Sequence, residues 1–127
     1  MKSVCIVDDD SIYVMLAKRQ ISLNQLSDDV SEFSDGREAY QGLKKRIDNG
    51  EQIPDVIFLD VNMPIWDGWD FLDEFSKLEI SNRPKIYIVT SSSHSLDREK
   101  AATYPIVSRC LTKPLELDDL KTILRAY

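Results

Sequence analysis

Val56-Ile57-Phe58-Leu59 is an unbroken apolar run that ends on a carboxylate, Asp60. Pro54 precedes it, and Pro64 and Gly68 break the chain after it. A short apolar run bounded by turn residues suits a strand buried on both faces, as at the centre of a parallel sheet. A side chain just past the end of such a strand lies at the sheet's rim, where ligands of open α/β folds bind. The pattern recurs. Val4–Val7 leads into Asp8-Asp9-Asp10, Ile86–Val89 into Thr90, and Ile106–Leu111 toward Lys113-Pro114.

Strands are therefore expected at 2–7, 55–60, 85–90 and 106–111, with a weaker edge strand at 29–33 that has only Val30 and Phe33 as apolar residues. The intervening segments have helical spacing. A helix over 11–25 is capped by Asp10 or Ser11, and Ile12, Met15, Leu16 and Arg19 are expected to face inward. A helix over 36–48 carries Ala39, Leu43 and Ile47 and stops at Asn49-Gly50. Asp67 caps a helix over 67–78 with Phe71, Leu72, Phe75 and Leu78 inward. A helix over 95–104 has little apolar surface beyond Leu96, Ala101 and Ala102, so it should be the most loosely held. The last helix, 116–126, buries Leu117, Leu120, Ile123 and Leu124. Five β-α units in a row predict one α/β domain over 1–127, with a parallel sheet between two helix layers and right-handed crossovers.

The net charge of −6 and the absence of a basic run argue against direct binding of nucleic acid. No run approaches the ~18 apolar residues of a membrane span. The apolar stretch after Met1-Lys2-Ser3 is shorter than the ~7–15 residues of a secretion signal. Cys5 and Cys110 fall in strands without metal-binding spacing and are read as reduced and packed, in a cytoplasmic protein.

All strands of a parallel sheet end on one side, which gathers Asp8, Asp9, Asp60, Thr90 and Lys113 on one rim. Each pair of like charges at ~4 Å and an effective dielectric of about 20 costs roughly 4 kcal/mol, so the carboxylates need compensation. Hard oxygen ligands without His or Cys suit Mg²⁺, and Lys113 supplies a second cation. A divalent cation, a lysine, a hydroxyl and a free carboxylate suit a phosphoryl group, with Asp60 as nucleophile and Thr90 as hydrogen-bond donor. Separately, each of these groups has an ordinary structural use as turn, cap or surface residue; their coincidence at four strand ends does not.

Val-Asp-Asp at 7–9, Leu-Asp-Val-Asn-Met-Pro at 59–64 with Asp67-Gly68, Thr90-Ser91, and Leu-Thr-Lys-Pro at 111–114 resemble the receiver domain of bacterial response regulators, the phosphorylated module of two-component signalling. The resemblance covers the whole chain. It implies a flavodoxin-like (βα)5 three-layer sandwich with strand order 2-1-3-4-5. It implies Asp60 as phosphoacceptor, Asp8, Asp9 and Asp60 as Mg²⁺ carboxylates with the Asn62 backbone carbonyl as a further ligand, and a cis Lys113-Pro114 peptide. Such a chain is a signalling switch rather than an enzyme, catalysing only its own phosphotransfer and dephosphorylation. The implied donor is a histidine kinase or histidine phosphotransfer protein. A downstream protein would read the face made by the fourth helix, fifth strand and fifth helix, and a phosphorylation-dependent dimer is allowed. The chain ends with the fifth helix, which fits a stand-alone module and part of a longer regulator alike.

The departures are specific. Cys110 stands where the family usually carries an aromatic switch residue, and Ile106-Val107 replace a small pair. Tyr104 is weighed as a stand-in, with packing at the helix end preferred. Trp66 occupies a loop position where Met or Leu is usual, and a ring packed on the third helix is expected. Ser92 and Asn62 occupy positions that tune loss of the phosphate; both are small and polar, so water should reach it. Three rivals remain. A Mg²⁺-dependent aspartate-nucleophile phosphatase would carry an acid where Asn62 stands. A flavin carrier would not place Asp8–Asp10 against a phosphate. The third is a receiver-like binding module that is never phosphorylated.

Overall fold

Five strands form one sheet: β1 (Val4–Val7), β2 (Val30–Phe33), β3 (Val56–Leu59), β4 (Lys85–Thr90) and β5 (Val107–Thr112). Their order is β2-β1-β3-β4-β5, and every neighbouring pair is parallel. This is the flavodoxin-like order that the resemblance implied. The helices α1 (Ser11–Leu23), α2 (Gly36–Asp48), α3 (Gly68–Phe75), α4 (Ser95–Ala101) and α5 (Leu117–Arg125) alternate with the strands. The structure is a computed structural model and describes residues 2–91 and 95–125. No helix among these residues is long and apolar enough to cross a membrane.

Alternation along the central strands splits the core in two. Val4, Ile6, Val56, Phe58 and Val89 face α1 and α5, where they meet Val14, Ala17, Ile21, Leu120, Ile123 and Leu124. Cys5, Val7, Ile57, Leu59, Ile86 and Ile88 face the other layer, against Ala39, Leu43, Phe71, Leu72, Phe75 and Ala101. Both faces of β1 and β3 are thus covered, which is why their sequences are continuous apolar runs.

The expected inward face of α1 is wrong. Val14, Ala17 and Ile21 are buried, whereas Ile12, Met15 and Leu16 are 66%, 57% and 52% exposed. The helix carries two apolar stripes, and spacing alone does not choose between them. The choice falls to packing against the sheet and α5, while the Asp10 cap, accepting from Ile12 and Tyr13 N–H, only fixes where the helix starts. The helix ends at Leu23, two residues early, and Gln25 then takes a left-handed φ of 52°. Only Ala101 of the three apolar residues expected to seat α4 is buried, and Leu96 is exposed. Near the start of β5 the pairing slips. Ile86 opposes Val107 but Tyr87 opposes Arg109. This bulge spends one extra residue, Ser108, and turns Val107 and Cys110 to the same side of the sheet.

Candidate functional site

Pairing of Val7 with Leu59 brings the next residues of each strand, Asp8 and Asp60, side by side. The Asp60 N–H donates to the Val7 carbonyl at 2.9 Å, and the Asp8 N–H to the Phe33 carbonyl at 3.0 Å, so both leave the sheet still tied to it. One carboxylate oxygen each from Asp8, Asp9 and Asp60 lies within 4.8 Å of the others. Thr90 opposes Thr112 at the end of the last pair of strands, and its carbonyl accepts the Lys113 N–H at 2.8 Å. The Lys113–Pro114 peptide bond is cis. The Lys113 ammonium reaches back over the rim, 2.7 Å from Asp8 Oδ2 and 3.5 Å from Asp60 Oδ2.

Asp8 and Asp60 are buried, and Thr90 beside them is 1% exposed. Burial pushes the Asp60 carboxyl above the usual range, aided by the charges of Asp8 and Asp9 and opposed by the Asn62 N–H and Lys113. Burial disfavours the Lys113 charge, but the hydrogen bond to Asp8 and the two carboxylates more than offset it and hold the ammonium above the ordinary lysine value. Three carboxylates thus cluster at the rim, and Lys113 is paired with two of them, Asp8 and Asp60. That imbalance is the condition a bound divalent cation relieves, and an all-oxygen donor set of this kind fits Mg²⁺.

The loop after β3 is built to present Asp60. Its Oδ1 accepts the Asn62 N–H at 3.2 Å, and Asn62 itself is exposed. Gly68 opens α3 directly under this loop; a Cβ there would stand 2.5 Å from the Asp60 carbonyl oxygen and 2.8 Å from Val61 Cα. Asp67 and Asp70 form a reciprocal capping box over the same turn. Ile65 carries a φ of 67° and is 70% exposed. A β-branched residue in this left-handed region is strained.

Two residues that the sequence left unmarked belong to this neighbourhood. One is Ile65. The other is Tyr13, whose ring lies under the Lys113 ammonium at 4.5 Å from its centroid. A residue five places after Asp8, in a helix's first turn, was the available signal, but it was hidden by the wrong choice of inward face. The residues considered for switching lie elsewhere. Cys110 is half-buried toward α4, and its carbonyl accepts from Arg98 at 3.1 Å while the same guanidinium donates to Thr112 Oγ1 at 2.8 Å. Tyr104 stacks on Trp69 with centroids 5.6 Å apart and donates to Asp73 at 2.7 Å, which ties the end of α4 to α3. Lys100 sits 4.8 Å over the same Trp69 ring. Trp66 tilts against Tyr40 of α2, with ring centroids 5.5 Å apart. Ser92 lies outside the described residues.

Comparison with known proteins identifies the family and the fold. A family model described as the response regulator receiver domain matches residues 4–125. Sensor protein EvgS of Escherichia coli K12 is 36% identical over 122 residues, covering 96% of this chain but only 9% of EvgS. The chain thus spans less than a tenth of that relative's length. A two-component response regulator from Cytophaga hutchinsonii superposes with a TM-score of 0.87 at 26% identity, over 97% of this chain and 93% of the other. A response regulator receiver protein from Dyadobacter fermentans gives 0.83 at 27% identity, over 97% and 94%. With strand order and family model in accord, the chain belongs to the response regulator receiver domain family of two-component signalling.

Proposed function

We propose that this chain is a phosphorylation-controlled switch in which Asp60 accepts a phosphoryl group from a histidine kinase or a histidine phosphotransfer protein. The observation that carries this is a buried carboxylate, Asp60, held between two further carboxylates and one ammonium at the rim of the sheet. An Asp60 carboxylate oxygen attacks phosphorus as the P–N bond of a phosphohistidine breaks. The bonding pair leaves with the imidazole, and an acyl phosphate remains. The Asn62 N–H and Lys113 fix the rotation of the carboxylate, so orientation is set before the donor arrives. Lys113 then compensates charge on the transferred oxygens, with Thr90 as the neighbouring hydroxyl. Asp8, Asp9 and Asp60, with the Asn62 carbonyl, are the residues that would hold Mg²⁺, which when bound neutralises charge on the phosphoryl oxygens.

Exposed Ile12, Met15 and Leu16 flank this rim and support docking of a donor protein against α1. The thin seating of α4 and its Arg98 link to β5 support an α4-β5-α5 face that shifts on phosphorylation and then meets a downstream protein or a second copy. Both cysteines are free, in keeping with work in the reducing cytoplasm. Exposed Asn62 favours water access to the acyl phosphate and a short phosphate lifetime. Incubation with acetyl phosphate and Mg²⁺, followed by intact-mass analysis, should add one phosphoryl group to the parent and none to Asp60→Asn. Equal modification of the two proteins would sink the proposal.

A further inference from the structure

We infer that Tyr13 is a positioning residue of the acceptor site, its ring face holding the Lys113 ammonium within reach of a phosphoryl group on Asp60. The inference rests on the reading of Asp60 as acceptor. Lys113 carries a compact charge on a flexible four-carbon stem, so something must limit where that charge goes. Two sides are occupied by Asp8 at 2.7 Å and Asp60 at 3.5 Å. The third is the Tyr13 ring at 4.5 Å. The lysine side chain is only 15% exposed, and a π face is a favourable neighbour for a cation removed from water.

Both partners are anchored from the backbone. The Tyr13 N–H donates to Asp10 Oδ1 at 3.1 Å, and the Lys113 N–H to the Thr90 carbonyl at 2.8 Å. Tyr13 also packs on the α1–α5 half of the core, together with Leu115 and Leu117. Its hydroxyl is buried with no hydrogen-bond partner among the described residues. Burial, with the charges of Asp8 and Asp60, holds that hydroxyl well above the usual tyrosine range, so the ring stays neutral beside the ammonium. The geometry also suits a moving charge. In the unphosphorylated protein the ammonium leans on Asp8, and a phosphoryl group on Asp60 draws it across the rim. The ring face must stay under the ammonium over such a swing, because the attraction is to the face and not to the edge.

The test combines a spectroscopic and a kinetic readout on the whole chain, with Asp60→Asn as control. In the metal-free protein, the Lys113 ε-methylene protons should be shifted upfield by the ring current in the parent and in Tyr13→Phe. The initial rate of phosphorylation by acetyl phosphate with Mg²⁺ should fall roughly two- to thirty-fold in Tyr13→Leu, the span of an ordinary cation–π contact. Tyr13→Phe should recover most of that loss. Pentafluorophenylalanine at position 13 keeps the ring's shape and reverses its electrostatics, so it should behave like leucine; it carries the test if Tyr13→Leu does not fold. Unshifted Lys113 protons, Tyr13→Leu at the parent rate, or Phe and its fluorinated form behaving alike would each overturn this inference alone. A parent protein that takes no phosphoryl group overturns the acceptor reading and this inference with it.

Discussion

Replacing Asp60 with asparagine should make the metal-free protein more stable. One oxygen each from Asp8 and Asp9 lies within 4.8 Å of one from Asp60. At that separation and an effective dielectric of about 20, each repulsion is worth about 3.5 kcal/mol. The attraction between Asp60 and Lys113 at 3.5 Å is worth about 4.7 kcal/mol on the same scale. The two repulsions therefore exceed the attraction by roughly 2 kcal/mol. Solvent around exposed Asp9 lowers that figure, and burial of the Asp60 charge raises it. Asparagine keeps the shape and can still accept the Asn62 N–H. Urea unfolding at pH 7 with a chelator should show a gain of about 1–3 kcal/mol with an unchanged m value. The sign against pH follows from the raised Asp60 carboxyl. In acid below about pH 3 the group is mostly neutral in both folded and unfolded chains, so parent and variant should converge. The parent's penalty grows as pH rises through the unfolded carboxylate range and is complete above the folded value. Mg²⁺ should narrow the difference, because it stabilises the parent more. A variant no more stable than the parent at pH 7, or an advantage that persists at about pH 3, would refute the electrostatic account.

Two more substitutions probe features that surround the acceptor. Ile65→Asn should raise stability by about 1 kcal/mol, since Asn tolerates the left-handed φ and the isoleucine is mostly exposed; an unchanged urea midpoint would show that the backbone there is unstrained. Tyr104→Phe removes the hydrogen bond to Asp73 and should cost about 0.5 kcal/mol, with faster amide exchange in α4 as the local readout; unchanged protection of α4 would show that the Tyr104–Asp73 bond does not hold this helix.

The sequence by itself determined the sheet. Val4–Val7, Val56–Leu59 and Ile86–Val89 are apolar at every position, and only a strand covered on both faces removes all of those side chains from water. Because such strands are parallel, their ends share one side, and Asp8, Asp9, Asp60, Thr90 and Lys113 were legible as one constellation before any distance was known. The caps at Asp10, Asp35 and Asp67 are local, each a side chain bonded to its own helix's first turn, and so were within reach of a linear reading.

The tertiary structure decided what depends on rotation and register. Two apolar stripes run along α1, and only docking against α5 and the sheet chose Val14, Ala17 and Ile21 over Ile12, Met15 and Leu16. One extra residue at the β5 bulge sends Cys110 to the α4 side, a reversal that alternation in sequence does not foretell. The Tyr104–Asp73 bond joins residues 31 apart, and the Tyr13 ring meets Lys113 across a hundred positions of chain. Such contacts are made by side chains whose directions follow from the packing of whole elements. Composition and spacing could name the charges at the rim, but only the packed core could say which ring stands beside the lysine.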